Sequence, residues 1–177
     1  MDINFLFQEA VKHRNSHDCS AYPYEDGDKL IQWLQKCQPI NVLEVGTGMG
    51  YTATIMALSL PNVHIDTLEK DLSHVETARE FAKTNGVGDR VNVIPELAEQ
   101  FLPTLNTQYD FIFFDGYQIH YEFLPQYERL LKQGGILFLG NNHLKSRTSD
   151  QFFKELNESG KWKILEEFAE TTIAQRI

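Results

Sequence analysis

The residues best equipped for chemistry are a run of glycines and the acids around it. Residues 42–51 read Val-Leu-Glu-Val-Gly-Thr-Gly-Met-Gly-Tyr. A short apolar run containing Glu44 leads into glycines at alternate positions, Gly46, Gly48 and Gly50. Glycine lets the chain turn sharply and lets a ligand lie against bare backbone. Thr52 to Leu60 read as a helix, whose free N-terminal N–H groups point into the same place. Together these describe a nucleotide-type cofactor site at the end of a first strand. The spacing E-x-G-x-G-x-G departs from the G-x-G-x-x-G of dinucleotide folds. It therefore disfavours a nicotinamide-dependent oxidoreductase. A glycine-rich turn with no ligand is the competing reading, and the acid and the strand–helix context weigh against it.

A second acid, Glu69, ends the second apolar run, 23 residues after Gly46. An acid there accepts ribose hydroxyls, because one carboxylate takes two hydroxyls at once. Asp66 and Asp71 are nearby alternatives, but Asp71 is better explained as a helix N-cap. Asp115 closes the run Phe111-Ile112-Phe113-Phe114. A carboxylate at a strand's C-terminal end stands where ligand crevices form. His120 and His143 lie in loops beyond strand ends. Histidine titrates near neutral pH, so each is a candidate general base, against the plain alternative of a solvated loop residue.

These residues need an alternating frame to hold them. Strands are expected at 41–45, 63–68, 91–95, 109–115 and 135–140, each short, apolar and bounded by turn residues. Their near-continuous apolar character fits a mainly parallel sheet buried on both faces. Between them, 71–84 places Leu72, Val75, Ala78 and Ala82 on one helical face, with Asn85-Gly86 as a stop. A helix over 149–158 would start from a Thr148/Gln151 capping box, bury Phe152, Phe153 and Leu156, and close at Gly160. Pro125 divides the 119–132 segment or opens its second half. Residues 161–177 read as two strands with no helix between them, hence an antiparallel hairpin. The expected architecture is α/β: a Rossmann-like doubly wound sheet of seven strands, mostly parallel with a C-terminal antiparallel hairpin, and helices on both faces. One domain spans 1–177. Residues 1–27, an amphipathic helix followed by a loop with Tyr22-Pro23-Tyr24, are a candidate lid.

The 177 residues are 42% hydrophobic and 23% charged, ordinary for a globular protein, with a net charge of −9. That acidity argues against nucleic acid as a partner, which needs clustered cations; Lys145 and Arg147 are too few. No apolar run approaches a membrane span or a secretory signal, so a cytoplasmic location is expected. Cys19 and Cys37 match no metal or redox spacing and read as free thiols.

The E-x-G-x-G-x-G element resembles motif I of S-adenosylmethionine-dependent methyltransferases. From about Leu30 onward the chain resembles the small O-methyltransferases that include the catechol and caffeoyl-coenzyme A enzymes. The likeness rests on Leu43 to Tyr51, Glu69, Ala98 with Leu102-Pro103, Phe113-Phe114-Asp115-Gly116, Tyr121, and Leu130 to Gly135. It implies methyl transfer to a hydroxyl on a small-molecule acceptor, with S-adenosylmethionine as cofactor. The implied cofactor contacts are Glu44, Gly46, Thr47, Gly48, Tyr51, Thr52, Glu69, Leu97, Ala98 and Asp115. The implied catalytic set is Asp115 with His143 or His120. Dimers are common among such proteins, so a homodimer is an open expectation.

Three departures qualify the likeness. The family's cation site takes the fourth-strand acid and an Asp-Asn pair after the fifth. Asp115 matches the first, but the pair reads Gly140-Asn141 or, slipped by one, Asn141-Asn142. The Lys often found three residues past that acid is Gln118, and the third-strand Gly-Asp is Glu96-Leu97. Two readings follow. In one, no metal is used and a histidine is the base, with Tyr117 or Tyr121 orienting the acceptor. In the other, His143, Asp115 and an Asn hold a softer ion. The first is preferred, because two oxygen ligands do not make a metal site. A non-catalytic S-adenosylmethionine or S-adenosylhomocysteine binder and a tRNA-modifying methyltransferase are the remaining alternatives.

Overall fold

A computed structural model of the protein describes residues 2–141 and 146–177. Among the described residues, seven strands form one sheet in the order β3-β2-β1-β4-β5-β7-β6. They are β1 Asn41–Val45, β2 His64–Leu68, β3 Val91–Ile94, β4 Tyr109–Phe114, β5 Leu131–Leu139, β6 Trp162–Phe168 and β7 Thr171–Arg176. The first five pair in parallel, and β7 runs antiparallel between β5 and β6. The expected fold class and the C-terminal hairpin are what the structure has. The chain leaves β1 toward β2 and β3, then resumes on the other side with β4. The switch in winding direction therefore falls between β1 and β4, where a crevice opens at the strands' C-terminal ends.

Burial alternates across the sheet. Val42, Ile65, Phe111, Phe113 and Phe138 face one core layer, and Leu43, Leu68, Ile112, Phe114 and Leu137 face the other. The first layer is covered by α1 (Ile3–His17), α2 (Gly27–Cys37), α3 (Tyr51–Ser59) and α4 (Leu72–Thr84). The second is covered by the short α5 (Ala98–Phe101), α6 (Phe123–Leu130) and α7 (Arg147–Glu158). Phe111, Phe113, Phe114 and Phe138 are all but fully buried. Each such side chain contributes about 1.5–3 kcal/mol of transfer free energy, enough to make β4 and β5 the rigid centre.

Several local expectations shift. β5 begins at Leu131 rather than 135, because Leu131 pairs with Tyr109 ahead of an irregularity that Gly134, at φ +79°, accommodates. The helix at 147–158 is capped by Ser146 and Ser149, not Thr148 and Gln151; the Thr148 hydroxyl instead accepts the Tyr121 N–H at 2.7 Å. Phe152 and Leu156 are buried, whereas Phe153 is only partly so. Leu72 is exposed, leaving Val75, Ala78 and Ala82 as the buried stripe of α4. Pro125 sits in the first turn of α6, so it opens that helix. Neither α2 nor α5 was expected from sequence, although Leu30, Ile31 and Leu34 give α2 a clear buried face. No described helix is long and apolar enough to cross a membrane.

Candidate functional site

The crevice is built from the ends of β1, β2, β4 and β5. The Gly46, Gly48 and Gly50 turn has positive φ at all three glycines: +98°, +53° and +89°. Their neighbours differ, and so do their roles. A Cβ on Gly46 would stand 2.6 Å from the Asp115 carbonyl oxygen. Gly46 therefore serves the close approach of β1 and β4, not an opening for ligand. A Cβ on Gly50 would press on Ala78 at 3.0 Å, so this glycine seats α3 against α4. Gly48 is the one at the loop's outer surface, where a Cβ would meet only Ala21 of the N-terminal loop, at 3.2 Å.

Glu69 holds this loop. Its Oε2 accepts the Gly48 N–H and its Oε1 the Asp71 N–H, both at 2.9 Å. A carboxylate has lone pairs to spare beyond these two bonds, so it can take ribose hydroxyls as well. Asp71 caps α4, its side chain accepting the Ser73 N–H, as expected. Glu44 is fully buried and accepts the hydroxyls of Thr52 and Thr67. The Thr47 and Thr67 hydroxyls are 2.5 Å apart. Burial pushes the Glu44 carboxyl up to about 7 against the lowering effect of the two hydroxyls, and the Glu69 carboxylate adds to the rise. Glu44 thus braces the first turn of α3 from behind and has no surface in the crevice.

Asp115 stands one residue beyond β4, its N–H donating to the Val45 carbonyl at 2.9 Å. Across the crevice Asn141 donates its amide N–H to Asp115 Oδ1 at 2.8 Å. Asn141 adopts φ +55°, a conformation asparagine tolerates, just after β5. Burial drives the Asp115 carboxyl well above its ordinary range; the Glu44 carboxylate adds to this and the Asn141 bond opposes it. Beside them, a Cβ on Gly140 would lie 3.4 Å from Asp115 Oδ1 and 3.4 Å from the Tyr24 ring. Tyr24 is buried edge-on against Phe113 and Phe138, with its hydroxyl 2.7 Å from Thr171 Oγ1. The N-terminal loop therefore runs from Gly48 to Gly140 across the same edge of the sheet. A model of the O-methyltransferase family matches residues 4–170.

The chain belongs to the O-methyltransferase family. It is 29% identical over 143 residues to a caffeoyl-CoA O-methyltransferase of Populus kitakamiensis, covering 77% of this chain and 61% of that protein. It is 32% identical over 123 residues to a catechol O-methyltransferase of Niastella koreensis, covering 66% of this chain and 56% of that one. The chain thus spans about three fifths of the length of these curated relatives. Among solved structures, the O-methyltransferase from Bacillus cereus in complex with S-adenosylhomocysteine superposes with a TM-score of 0.82 at 19% identity, covering 97% of this chain and 90% of that one. At that identity the likeness speaks for the fold.

Against this family background, the remaining candidates separate. The side chain of Tyr51 is turned away from the crevice: its hydroxyl packs over Gly27 and its ring meets Phe7 edge-on. Only its backbone, at the start of α3, faces the glycine loop. Thr52 reaches Glu44 rather than open space. Leu97 is exposed and precedes α5, which Ala98 opens. His120 lies beside Phe123, with Nε2 4.0 Å from Glu99 Oε1. Among the described residues it forms no hydrogen bond with Asp115 or Asn141. His143 lies outside the described residues, as do Asn142 and Lys145. Tyr24 belongs to the Tyr22-Pro23-Tyr24 loop that the sequence offers as a lid, and its ring packs beside Gly140.

The donors at Asp115 do not fit a hard divalent cation. Mg²⁺ takes several oxygens, usually including more than one carboxylate. Among the described residues Asp115 is the one carboxylate at this point, Gly140 has no side chain, and Asn141 turns its N–H rather than its carbonyl oxygen toward Asp115.

Proposed function

We propose that the chain is an S-adenosylmethionine-dependent methyltransferase acting on a hydroxyl oxygen of a small-molecule acceptor, and that it works without the divalent cation its relatives' motif implies. The observation that carries the reading is the Asp115–Asn141 pair standing beside the Gly48–Glu69 bond at the switch point of the sheet. The names of its relatives and the S-adenosylhomocysteine in the Bacillus cereus structure support the cofactor.

When bound, S-adenosylmethionine supplies an electrophilic methyl whose C–S bond breaks as the acceptor's O–C bond forms, leaving S-adenosylhomocysteine. Glu69 and the backbone at Gly48 hold the ribose side, and the N-terminus of α3 receives the carboxylate end. Asp115 takes the acceptor's hydroxyl proton. Asn141 holds Asp115 Oδ1, which leaves Oδ2 to meet the acceptor. His143 is the alternative base; His120, paired with Glu99, is set aside. The loop bearing Ala21 and Tyr24 acts as the lid that excludes water. The compartment on this reading is the cytoplasm, in keeping with two free thiols.

A non-catalytic cofactor binder is the second reading, favoured by the glycine at 140 and the glutamine at 118. The test is a calorimetric titration of S-adenosylhomocysteine in EDTA, followed by a methyl-transfer assay on phenols and catechols. Binding with turnover in EDTA supports the proposal. Binding without turnover across the panel moves the balance to the second reading, and no binding to folded protein ends both.

A further inference from the structure

Away from the crevice, three residues far apart in sequence converge: His13 in the penultimate turn of α1, Cys19 just past its end, and His74 in the first turn of α4. One donor atom from each lies within 4.8 Å of the other two, and all three residues are half-buried. The His13 and His74 rings are 5.8 Å apart at 60°, and His17 stacks on the outer face of His13 at 4.3 Å. The Nε2 of His13 is buried with no hydrogen-bond partner among the described residues. An unsatisfied buried nitrogen costs free energy that a bound cation would offset.

We propose that His13, Cys19 and His74 form a binding site for a zinc-class transition metal, fastening the N-terminal helix and loop to the start of α4. Two imidazoles and a thiolate are borderline-to-soft donors, suited to Zn²⁺ and unsuited to Mg²⁺ or Ca²⁺. Tetrahedral zinc, with Zn–N and Zn–S bonds of about 2.1 and 2.3 Å, sets its donors roughly 3.5 Å apart. From within 4.8 Å, side-chain rotation closes that gap. On ligation Cys19 releases its thiol proton to solvent, the imidazoles bind neutral, and a water completes the fourth position. The clip adjoins the glycine loop on both sides. Ala21, two residues past Cys19, rests on Gly48, while Asp71, three before His74, is bonded to the same Glu69 that holds Gly48. The metal reading does not depend on the identity of the cofactor.

The test uses the full chain, stripped with EDTA and checked for folding by circular dichroism. Zn²⁺ is titrated in competition with a chromophoric chelator, and Co²⁺ is used as a spectroscopic probe. A single tight Zn²⁺ site is expected, with a thiolate-to-cobalt charge-transfer band. Cys19→Ser should abolish the band, and both it and His74→Gln should weaken Zn²⁺ binding by at least about tenfold. Cys37→Ser and Asp115→Asn should leave both readouts unchanged. Zn²⁺ should raise the Tm of the wild type and not that of Cys19→Ser. Wild-type binding no tighter than that of the Cys19→Ser/His74→Gln double variant would overturn the proposal. So would a cobalt band that survives Cys19→Ser.

Discussion

The Gly48 N–H donates to Glu69 Oε2 at 2.9 Å, tying the loop after β1 to the end of β2. The same carboxylate caps the Asp71 N–H with its other oxygen, so the acid expected to meet a ribose is already fixed by backbone. Glu69→Ala removes both the brace and the hydroxyl acceptor. S-adenosylhomocysteine affinity is expected to fall about tenfold or more, since a lost charged hydrogen bond is worth about 1.5–3 kcal/mol. Calorimetry on Glu69→Ala and Glu69→Gln checks it, the amide retaining more affinity.

Gly46 and Gly48 are expected to fail in different ways. Gly46→Ala drives a Cβ into the Asp115 backbone at a φ of +98°, so the variant should lose several kcal/mol of stability, and Tm with it. At Gly48 an added Cβ meets only Ala21, at 3.2 Å and a φ of +53°, so Gly48→Val should stay folded at lower stability while losing cofactor binding. Thermal denaturation and ligand titration on the two variants separate the effects; a folded, cofactor-binding Gly48→Val would refute the site.

Glu44 makes stability depend on pH. Its folded pKa, about 7, lies above the ordinary value of 4.5, so the native state holds the proton more tightly than the unfolded chain. That contribution is complete below about pH 4.5 and is lost as pH rises through 7. The slope approaches about 1.4 kcal/mol per pH unit between those limits. Urea titrations across pH 4.5–8 should show stability falling more steeply in the wild type than in Glu44→Gln.

The missing second carboxylate can be restored. Asn141→Asp puts an acid 2.8 Å from Asp115 at a φ that aspartate accepts. This variant should bind Mn²⁺, seen by electron paramagnetic resonance, where the wild type shows no crevice-bound Mn²⁺. Wild-type turnover should be unchanged by EDTA. Gly140→Asp is the poorer route, because its Cβ would crowd the Phe114 carbonyl at 3.2 Å and the Tyr24 ring.

Much of this molecule is legible in its one-dimensional pattern. The apolar runs around Val42, Ile65, Val93, Phe111 and Leu137 set the strands, and the lack of a helix between Trp162 and Ile177 dictated the hairpin. Motif I, Glu69 and Asp115 mark the crevice because each follows a strand directly. The helix beginning at Gly27 is less legible, because it is short and starts from a glycine with no side-chain cap, although Leu30, Ile31 and Leu34 form a buried stripe. Ser146 and Thr148 both carry cap-forming hydroxyls, and the approach of the Tyr121 backbone to Thr148 leaves Ser146 as the cap.

By itself, the sequence determined the α/β class, the strand–helix order and the positions of the cofactor-type residues. These follow from periodicity and from local turn chemistry, which act over a few residues. Tertiary structure alone decided which glycine lies at the loop's outer surface, that Glu44 is sealed behind Thr52 and Thr67, that His120 lies beside Glu99, and that Asn141 meets Asp115. It alone brought His13 and Cys19 to His74. Each of these is a contact between residues distant in the chain, and no local propensity encodes it; the packing of the sheet and its two helical layers does.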